Sequence, residues 1–293
     1  MKTLVMRIVL MSILAALTST CGHSDLPKYQ TLGDLRILDV LVDKPEANPG
    51  DVVTFTPVLS DLLGNGRQIN YSVQACVDPG LAFGADPVCT IPDPASIQSG
   101  SLTIPAGADA TYTDAVSPFT LTMPDSATMF AGRSPADRYN GVIYLVQFNI
   151  GITNGPAINS FLRVFVSDPS VKTSLNQNPT SSIDLNDTPV LDEFTTRTTI
   201  AMPVTAVNFR ATSPASSLET YQYMQPDGTL LTRTEQMLHS WFTTDGEFDY
   251  SRTDNGTENK WSSAAKPSGR SAVIVVITRD GRGGSTFKKI AMN

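Results

Sequence analysis

The sequence predicts an all-β protein that consists of two tandem antiparallel β-sandwiches. Short stretches of alternating apolar and polar residues, typical of half-buried strands, recur along most of the chain. Turn-forming residues, among them 20 glycines and 20 prolines, separate these stretches. Charged residues make up only 17% of the 293 residues and hydrophobic residues 41%, so the chain has enough apolar side chains to fill cores.

The first 20 residues have the composition of a secretory signal. Lys2 and Arg7 give a basic start, and residues 8–17 form an apolar run that is interrupted only by Ser12. This run is much shorter than the roughly 20 residues that a membrane-spanning helix needs. A basic start followed by a short apolar run is typical of a cleaved signal peptide.

The motif Leu-Thr-Ser-Thr-Cys21 follows this run and resembles the lipobox of bacterial lipoprotein signals. Its leucine lies one position early, and Thr20 stands where the family has Gly, Ala or Ser. The resemblance implies cleavage before Cys21, a diacylglycerol on its thiol and an acylated amine. Residues 21–33 are then a lipidated tether, and Gly22, in place of Asp, implies retention at the outer membrane of the cell envelope. The alternative is ordinary secretion with a free Cys21.

Charge limits the range of partners. The chain has 28 acidic and 21 basic residues, a net charge of −7, and loss of the signal with its two basic residues makes it more acidic. An acidic surface argues against nucleic acid and against tight docking on anionic lipid headgroups. The expected partners are a membrane, reached through the lipid anchor, and an unidentified protein or glycan.

The three cysteines of the chain agree with an extracytoplasmic location. If Cys21 carries lipid, Cys76 and Cys89 remain as a pair on either side of a loop rich in turn-forming residues. In an oxidising compartment they are expected to form a disulfide. A redox or metal pair is the alternative, but no other cysteine and no histidine lies near them in the sequence.

The first predicted domain covers residues 34–168. Its predicted strands lie at residues 35–42, 52–59, 69–76, 101–104, 119–123, 139–152 and 161–166. The Asn-Pro-Gly-Asp51 turn after the first strand resembles the link between the first two strands of bacterial immunoglobulin-like modules. About seven short strands suggest a sandwich, in which Tyr139 or Tyr144 is either a tyrosine corner or part of the core.

Residues 169–179 contain many strand breakers and are the predicted linker to a second domain at 180–293. Residues 195–207 are rich in strand-forming side chains. The region around Trp241 resembles the core strand of PKD-like (polycystic kidney disease) and related immunoglobulin-like modules, with His239 on the same strand face. The end of the chain closely resembles the final hairpin of such modules, with Asp-Gly281 at its turn.

The sequence contains two candidates for a cation site. Asp184 and Asp187 lie in a segment that resembles the calcium-binding cadherin linker signature, although this copy is one residue short. A plain hairpin turn is the alternative there. Asp245, Glu247 and Asp249 alternate and share one face of a predicted strand, where they would hold a cation, serve as glycosidase carboxylates or face solvent.

The sequence contains no recognisable catalytic motif. Of its two histidines, His23 lies in the tether and His239 lies near the predicted core tryptophan. Trp241, Trp261 and Tyr250 offer a possible sugar-stacking platform. The sequence therefore predicts a non-enzymatic envelope lipoprotein without a cofactor that presents two immunoglobulin-like domains for interaction. A calcium-dependent adhesion module or a carbohydrate-binding protein is the alternative.

Overall fold

The computed structural model of the protein describes residues 28–62, 64, 66–78, 88–104, 112–152, 155–263 and 271–293. These residues form mainly antiparallel sheets, with parallel pairing at two sheet edges, and two short α-helices, which confirms the predicted all-β class. The predicted signal peptide and the predicted lipidation site Cys21 lie outside the described residues. None of the helices in the described ranges has the length and apolar character that crossing a bilayer requires.

The strands of residues 36–166 make two sheets. They are β1 (Arg36–Val42), β2 (Glu46–Ala47), β3 (Val52–Asp61), β4 (Gln68–Val77), β5 (Gln98–Thr103), β6 (Tyr112–Ala115), β7 (Phe119–Thr122), β8 (Val142–Ile152) and β9 (Ala157–Val166). Sheet 1 has the order β2-β9-β8-β4-β5, and sheet 2 has the order β1-β3-β6 with β7 also paired to β3. Helices α1 (Ser126–Phe130) and α2 (Pro135–Asn140) precede β8.

The strands of residues 182–292 make two further sheets and a separate hairpin. They are β10 (Ser182–Leu185), β11 (Thr188–Leu191), β12 (Arg197–Ile200), β13 (Val207–Thr212), β14 (Thr220–Met224), β15 (Leu230–Thr234), β16 (Leu238–Thr243), β17 (Glu247–Phe248), β18 (Arg252–Asp254), β19 (Glu258–Ser262), β20 (Ala272–Arg279) and β21 (Ser285–Met292). Sheet 3 has the order β12-β21-β20-β16-β18 and sheet 4 the order β11-β10-β13-β19-β17. β14 and β15 pair only with each other among the described strands.

Each pair of sheets encloses an apolar core. Sheets 1 and 2 bury a cluster that includes Phe55, Tyr144 and Phe148 and form the first sandwich. Sheets 3 and 4 bury a second cluster around Trp241 and Trp261 and form the second sandwich. The predicted core role of Trp241 is therefore confirmed.

A third apolar cluster joins the two sandwiches. The outer face of sheet 2 contributes Leu38 and Val58, and the outer face of sheet 3 contributes Phe242, Val275 and Phe287. β20 is consequently buried on both faces, which explains why residues 272–277 are apolar without alternation. The four sheets thus stack in the order 1-2-3-4. The predicted domain limits stay a prediction, but the sandwiches share a buried apolar face.

Several predicted strand limits were wrong. The strand predicted at 139–152 begins only at Val142, because Ser134 and Asp137 form a capping box that starts α2 and Gly141, at φ +94°, ends it. In the segment 195–207 only Arg197–Ile200 and the first residue of β13 are strand. The tyrosine corner is also absent from Tyr144, since its hydroxyl donates to the Asp93 carboxylate (2.9 Å) instead of a backbone carbonyl.

The predicted bond between Cys76 and Cys89 is present, and both residues are buried against Leu145. Their separation of 13 residues closes a short loop on β4. In the chain-entropy account, loss of such a cross-link costs about 2–3 kcal/mol. We expect the Cys76→Ala/Cys89→Ala protein to lose this amount of stability in urea unfolding. Reductant should destabilise the native protein similarly and leave the double variant unchanged, and an equal response of both proteins would contradict the expectation.

Candidate functional site

Asp184 lies on β10, and Asp187 lies in the turn between β10 and β11. Asn186 and Asp187 have positive φ angles of 47° and 62°, so this is a two-residue hairpin turn, as the alternative interpretation predicted. Arg210 pairs with Asp187 and lies 3.5 Å from Asp184. A guanidinium thus occupies the position between the two carboxylates that a cation would need.

The second acidic candidate is spread along a shorter strand than predicted, because β17 contains only Glu247 and Phe248. Glu247 pairs with Lys28, while Asp249 is exposed. Trp261 is fully buried and is not available to stack on a sugar, whereas Tyr250 is 60% exposed. Within the described ranges, no three His, Cys, Asp or Glu side chains are grouped closely enough to hold a metal ion.

His239 is fully buried in the second sandwich. Its Nδ1 lies 2.8 Å from the Thr278 hydroxyl and its Nε2 lies 3.3 Å from Asn255 Oδ1. Asn255 Oδ1 accepts, so Nε2 carries the proton and Nδ1 accepts from Thr278 in the neutral ring. Burial lowers the pKa of His239, and the hydrogen bond that Nε2 donates to Asn255 and the charge of Asp254 oppose this shift. The residue is a structural member of the core.

This pKa shift predicts a pH dependence of stability. In the unfolded chain His239 is expected to take up a proton below about pH 6.5, whereas the folded protein resists protonation. The stability that neutral His239 contributes to the fold is therefore fully present above that pH. It is lost as the pH falls toward the lowered pKa of the folded protein. Between pH 7 and pH 5 the free energy of unfolding should fall more steeply for the native protein than for His239→Gln. An equal decrease of the free energy of unfolding in both proteins would show that His239 does not cause the pH dependence.

The strongest candidate for a functional site is a cleft of about 310 Å³ where the two sandwiches meet. We call it the junction cleft. Its lining residues come from β2, α2, β9, the β14–β15 hairpin and the turn after β20: Glu46, Asp137, Asn140, Gly141, Phe165, Tyr221, Tyr223, Arg233, Gly281 and Arg282. Pockets at the junction of two folding units are common ligand sites.

The floor of the junction cleft is a buried carboxylate on the first sandwich. Glu46 is 3% exposed. Its Oε1 accepts from Ser167 and Lys172, and its Oε2 accepts from the backbone N–H of Asn176 (2.9 Å) and from Arg282 (3.3 Å). Residues 167–176 therefore connect the sandwiches and also supply three of the hydrogen-bond donors to this carboxylate.

Arg282 brings the second sandwich to the same place. Its Nη1 donates to Glu235 (2.8 Å) and to Glu219 (3.2 Å), and its Nη2 donates to Glu46. Burial raises the pKa of Glu235, while hydrogen bonds from the Glu219 backbone and Arg282 oppose the shift. A single guanidinium thus holds carboxylates of both sandwiches, an arrangement that fixes geometry at a cost in desolvation.

Asp280 ties the turn after β20 to this network. Its Oδ2 accepts from Asn176 Nδ2 (2.8 Å), and its Oδ1 accepts from the backbone N–H groups of Arg282 (2.6 Å) and Gly284 (3.0 Å). Burial raises the pKa of Asp280, and these hydrogen bonds oppose the shift. A Cβ at Gly284 would lie 2.2 Å from Asp280 Oδ2, so this close approach requires glycine.

The outer wall of the junction cleft is the β14–β15 hairpin. Tyr221 and Tyr223 alternate along β14, with Arg282 stacked 4.0 Å from the first ring centre and Arg233 stacked 4.3 Å from the second. Asn140 of α2 anchors the hairpin, because its amide donates to Met224 O and accepts from Met224 N, both at 2.8 Å. The cleft therefore has a fixed floor and a wall of aromatic rings, hydroxyls and one exposed guanidinium.

The sequence interpretation missed this site. The hairpin itself had a signal, since Pro226-Asp-Gly228 is a strong turn sequence and Gly228 has φ +87°. The capping box of α2 was likewise readable. No sequence signal indicates the contact between Glu46 and Arg282, which lie 236 residues apart.

Comparisons with known proteins do not identify the chain. No family model matches it, and no curated protein does. Among solved structures it is similar to α2-macroglobulin of Escherichia coli activated by porcine elastase, with 13% identity, a TM-score of 0.25 and coverage of 92% of this chain. It is also similar to the sporulation control protein Spo0M of Bacillus subtilis, with 13% identity, a TM-score of 0.25 and coverage of 89% of this chain and 91% of that one. The chain spans 22% of the α2-macroglobulin chain.

Proposed function

We propose that the protein is a non-enzymatic lipoprotein of the cell envelope that binds a protein partner at the junction cleft. The observation that carries this proposal is that both sandwiches line the cleft and are joined there by a buried network of hydrogen bonds and ion pairs. Because the side chains of the site are already held in place, binding costs this protein little conformational entropy. Its exposed groups are suited to noncovalent contact.

A protein partner fits the cleft better than a glycan does. Sugars are held largely by open aromatic faces, but Tyr221 and Tyr223 each have a guanidinium on one face. Tyr221 and Tyr223 are half-buried, and Arg233 beside them is exposed. Tyrosine and arginine are the residues that most often dominate binding energy in protein interfaces.

Attachment through Cys21 is consistent with how the described chain begins. Gln30 is buried and donates to Phe248 O (2.6 Å), and Leu32 N donates to Thr243 O (2.9 Å). The chain is therefore fixed to the second sandwich within about ten residues of Cys21. A lipid there would hold the stacked sandwiches close to the outer membrane.

The attachment is tested by the intact mass of the mature protein. We expect a chain that begins at Cys21 and carries acyl groups, and a Cys21→Ser protein that lacks them. A mature native protein with an unmodified Cys21 would overturn the membrane placement.

The interaction is tested by photo-crosslinking in cells. A photoreactive phenylalanine analogue at Tyr223 should give discrete crosslinked protein species, whereas the same analogue at Phe194, which is 86% exposed elsewhere on the second sandwich, should not. Equal crosslinking at both positions, or none at Tyr223, would overturn the proposed role of the junction cleft.

A further inference from the structure

The β14–β15 hairpin has a second surface besides the one that faces the junction cleft. All five residues of β15 are exposed, and this strand pairs with β14 alone among the described strands. A hairpin of two strands is marginally stable by itself. Here the Asn140 amide and the Glu235 network hold it in place, so its outer edge is presented in a fixed conformation.

The register of the hairpin shows which backbone groups lie on that edge. Both backbone groups of Met224 bond to Asn140, so the opposite pair of Met224 and Leu230 is not hydrogen-bonded across the hairpin. Antiparallel ladders alternate between bonded and non-bonded pairs. Leu230, Thr232 and Thr234 therefore direct their N–H and C=O groups outward, where no described residue accepts or donates a hydrogen bond to them.

Natural sheets usually protect such an edge by a very short strand, charged side chains, a proline, a bulge or a covering segment. β15 has no proline and its register with β14 is regular over all five pairs. Its two leucines, Leu230 and Leu231, are 46% and 38% exposed. Apart from the charge of Arg233, no described residue protects or covers this edge, so the described part of the chain leaves it open to a further strand.

We infer that the outer edge of β15 accepts an extended segment of a partner protein, which adds a third strand and places an acidic side chain beside Arg233. This inference rests on the proposed interaction function and specifies its chemistry. Main-chain hydrogen bonds supply affinity in strand addition, and alternate side chains supply specificity.

The charge of Arg233 selects the occupant. Its guanidinium lies over Tyr223, and within the described part of the chain it has no carboxylate partner. Opposite charges on directly facing strand positions are favourable, and like charges are unfavourable. A second copy of this chain, paired antiparallel about Thr232, would place each Arg233 opposite Leu231 and the two arginines at diagonal positions on one face. An acidic strand from another protein avoids that repulsion.

The probe for this inference is a displayed library of random peptides of about twelve residues, selected on the native protein. Thr232→Pro removes one outward N–H and leaves the inner ladder to β14 without a lost hydrogen bond, while Thr232→Val keeps the N–H. Enriched peptides should carry Asp or Glu at one position of an alternating pattern and should bind the valine variant but not the proline variant. Enriched peptides that bind both variants equally, or no enrichment, would overturn the inference.

Arg233→Glu provides a second test that does not depend on the proline variant folding. Acidic peptides should bind it roughly threefold to tenfold more weakly, and the enriched set should change to basic peptides. An unchanged preference would overturn the role of Arg233, and concentration-dependent dimerisation that Thr232→Pro abolishes would assign the edge to a second copy instead. Crosslinking at Tyr223 without edge-selected peptides would leave the proposed function standing and remove this inference alone.

Discussion

Replacement of Arg282 by methionine is expected to lower the free energy of unfolding by about 3–5 kcal/mol at pH 7, the range found when one partner of a buried ion pair is removed. The guanidinium is the only cation that contacts Glu235 and Glu219 among the described residues, and it also bonds to Glu46. Without it, the buried Glu235 has no cationic partner among the described residues, and Glu46 keeps only Lys172. Urea unfolding followed by far-ultraviolet circular dichroism measures the loss.

The matched control is Arg233→Met, which removes an exposed guanidinium on the β14–β15 hairpin and should change stability by about 0.5 kcal/mol or less. The cost of Arg282→Met should also shrink between pH 7 and pH 5. Burial already raises the pKa of Glu235, so its protonated form favours the folded state and contributes stability that is lost as the pH rises. A loss below about 1 kcal/mol, or one that does not depend on pH, would show that the network does not connect the sandwiches.

Local patterns predicted most of the strands because burial follows sequence period. The alternation in 142–148 places Val142, Tyr144, Val146 and Phe148 in one core, as expected from strand geometry. The continuous apolar run at 272–277 indicated the strand but not what covers its second face. That face packs on Leu38, which a bulge between Ile37 and Asp39 turns toward sheet 3.

The junction cleft was less accessible to sequence reasoning for a physical reason. A buried charge such as Glu46 looks like any surface glutamate in a strand, and its partners are set by how two sandwiches stack. The predicted acidic candidates consist of residues that are close in sequence. Arg210 and Lys28 neutralise two of those sites locally, which no spacing rule could indicate.

Phe242→Ala is expected to cost about 3–5 kcal/mol, as truncation of a buried phenylalanine usually does. Its neighbour Trp241 points into the second sandwich, whereas Phe242 is 1% exposed and lies between sheets 2 and 3. The ring centres of Phe242 and Tyr29 are 5.5 Å apart. The truncation therefore weakens the joint between the sandwiches and spares both sandwich cores. Phe194→Ala, at an exposed position, is the control and should change stability by about 0.5 kcal/mol or less.

The two tryptophans of the chain make this prediction specific, because Trp241 and Trp261 both lie in the second sandwich. Tryptophan fluorescence thus reports the second sandwich, whereas far-ultraviolet circular dichroism reports both. In the native protein the two unfolding curves should coincide, since the shared apolar face couples the sandwiches into one transition. In Phe242→Ala the curves should separate as the coupling weakens. Curves that coincide in the variant despite its lower stability would show that the polar network at Glu46 and Arg282 is sufficient to join the sandwiches.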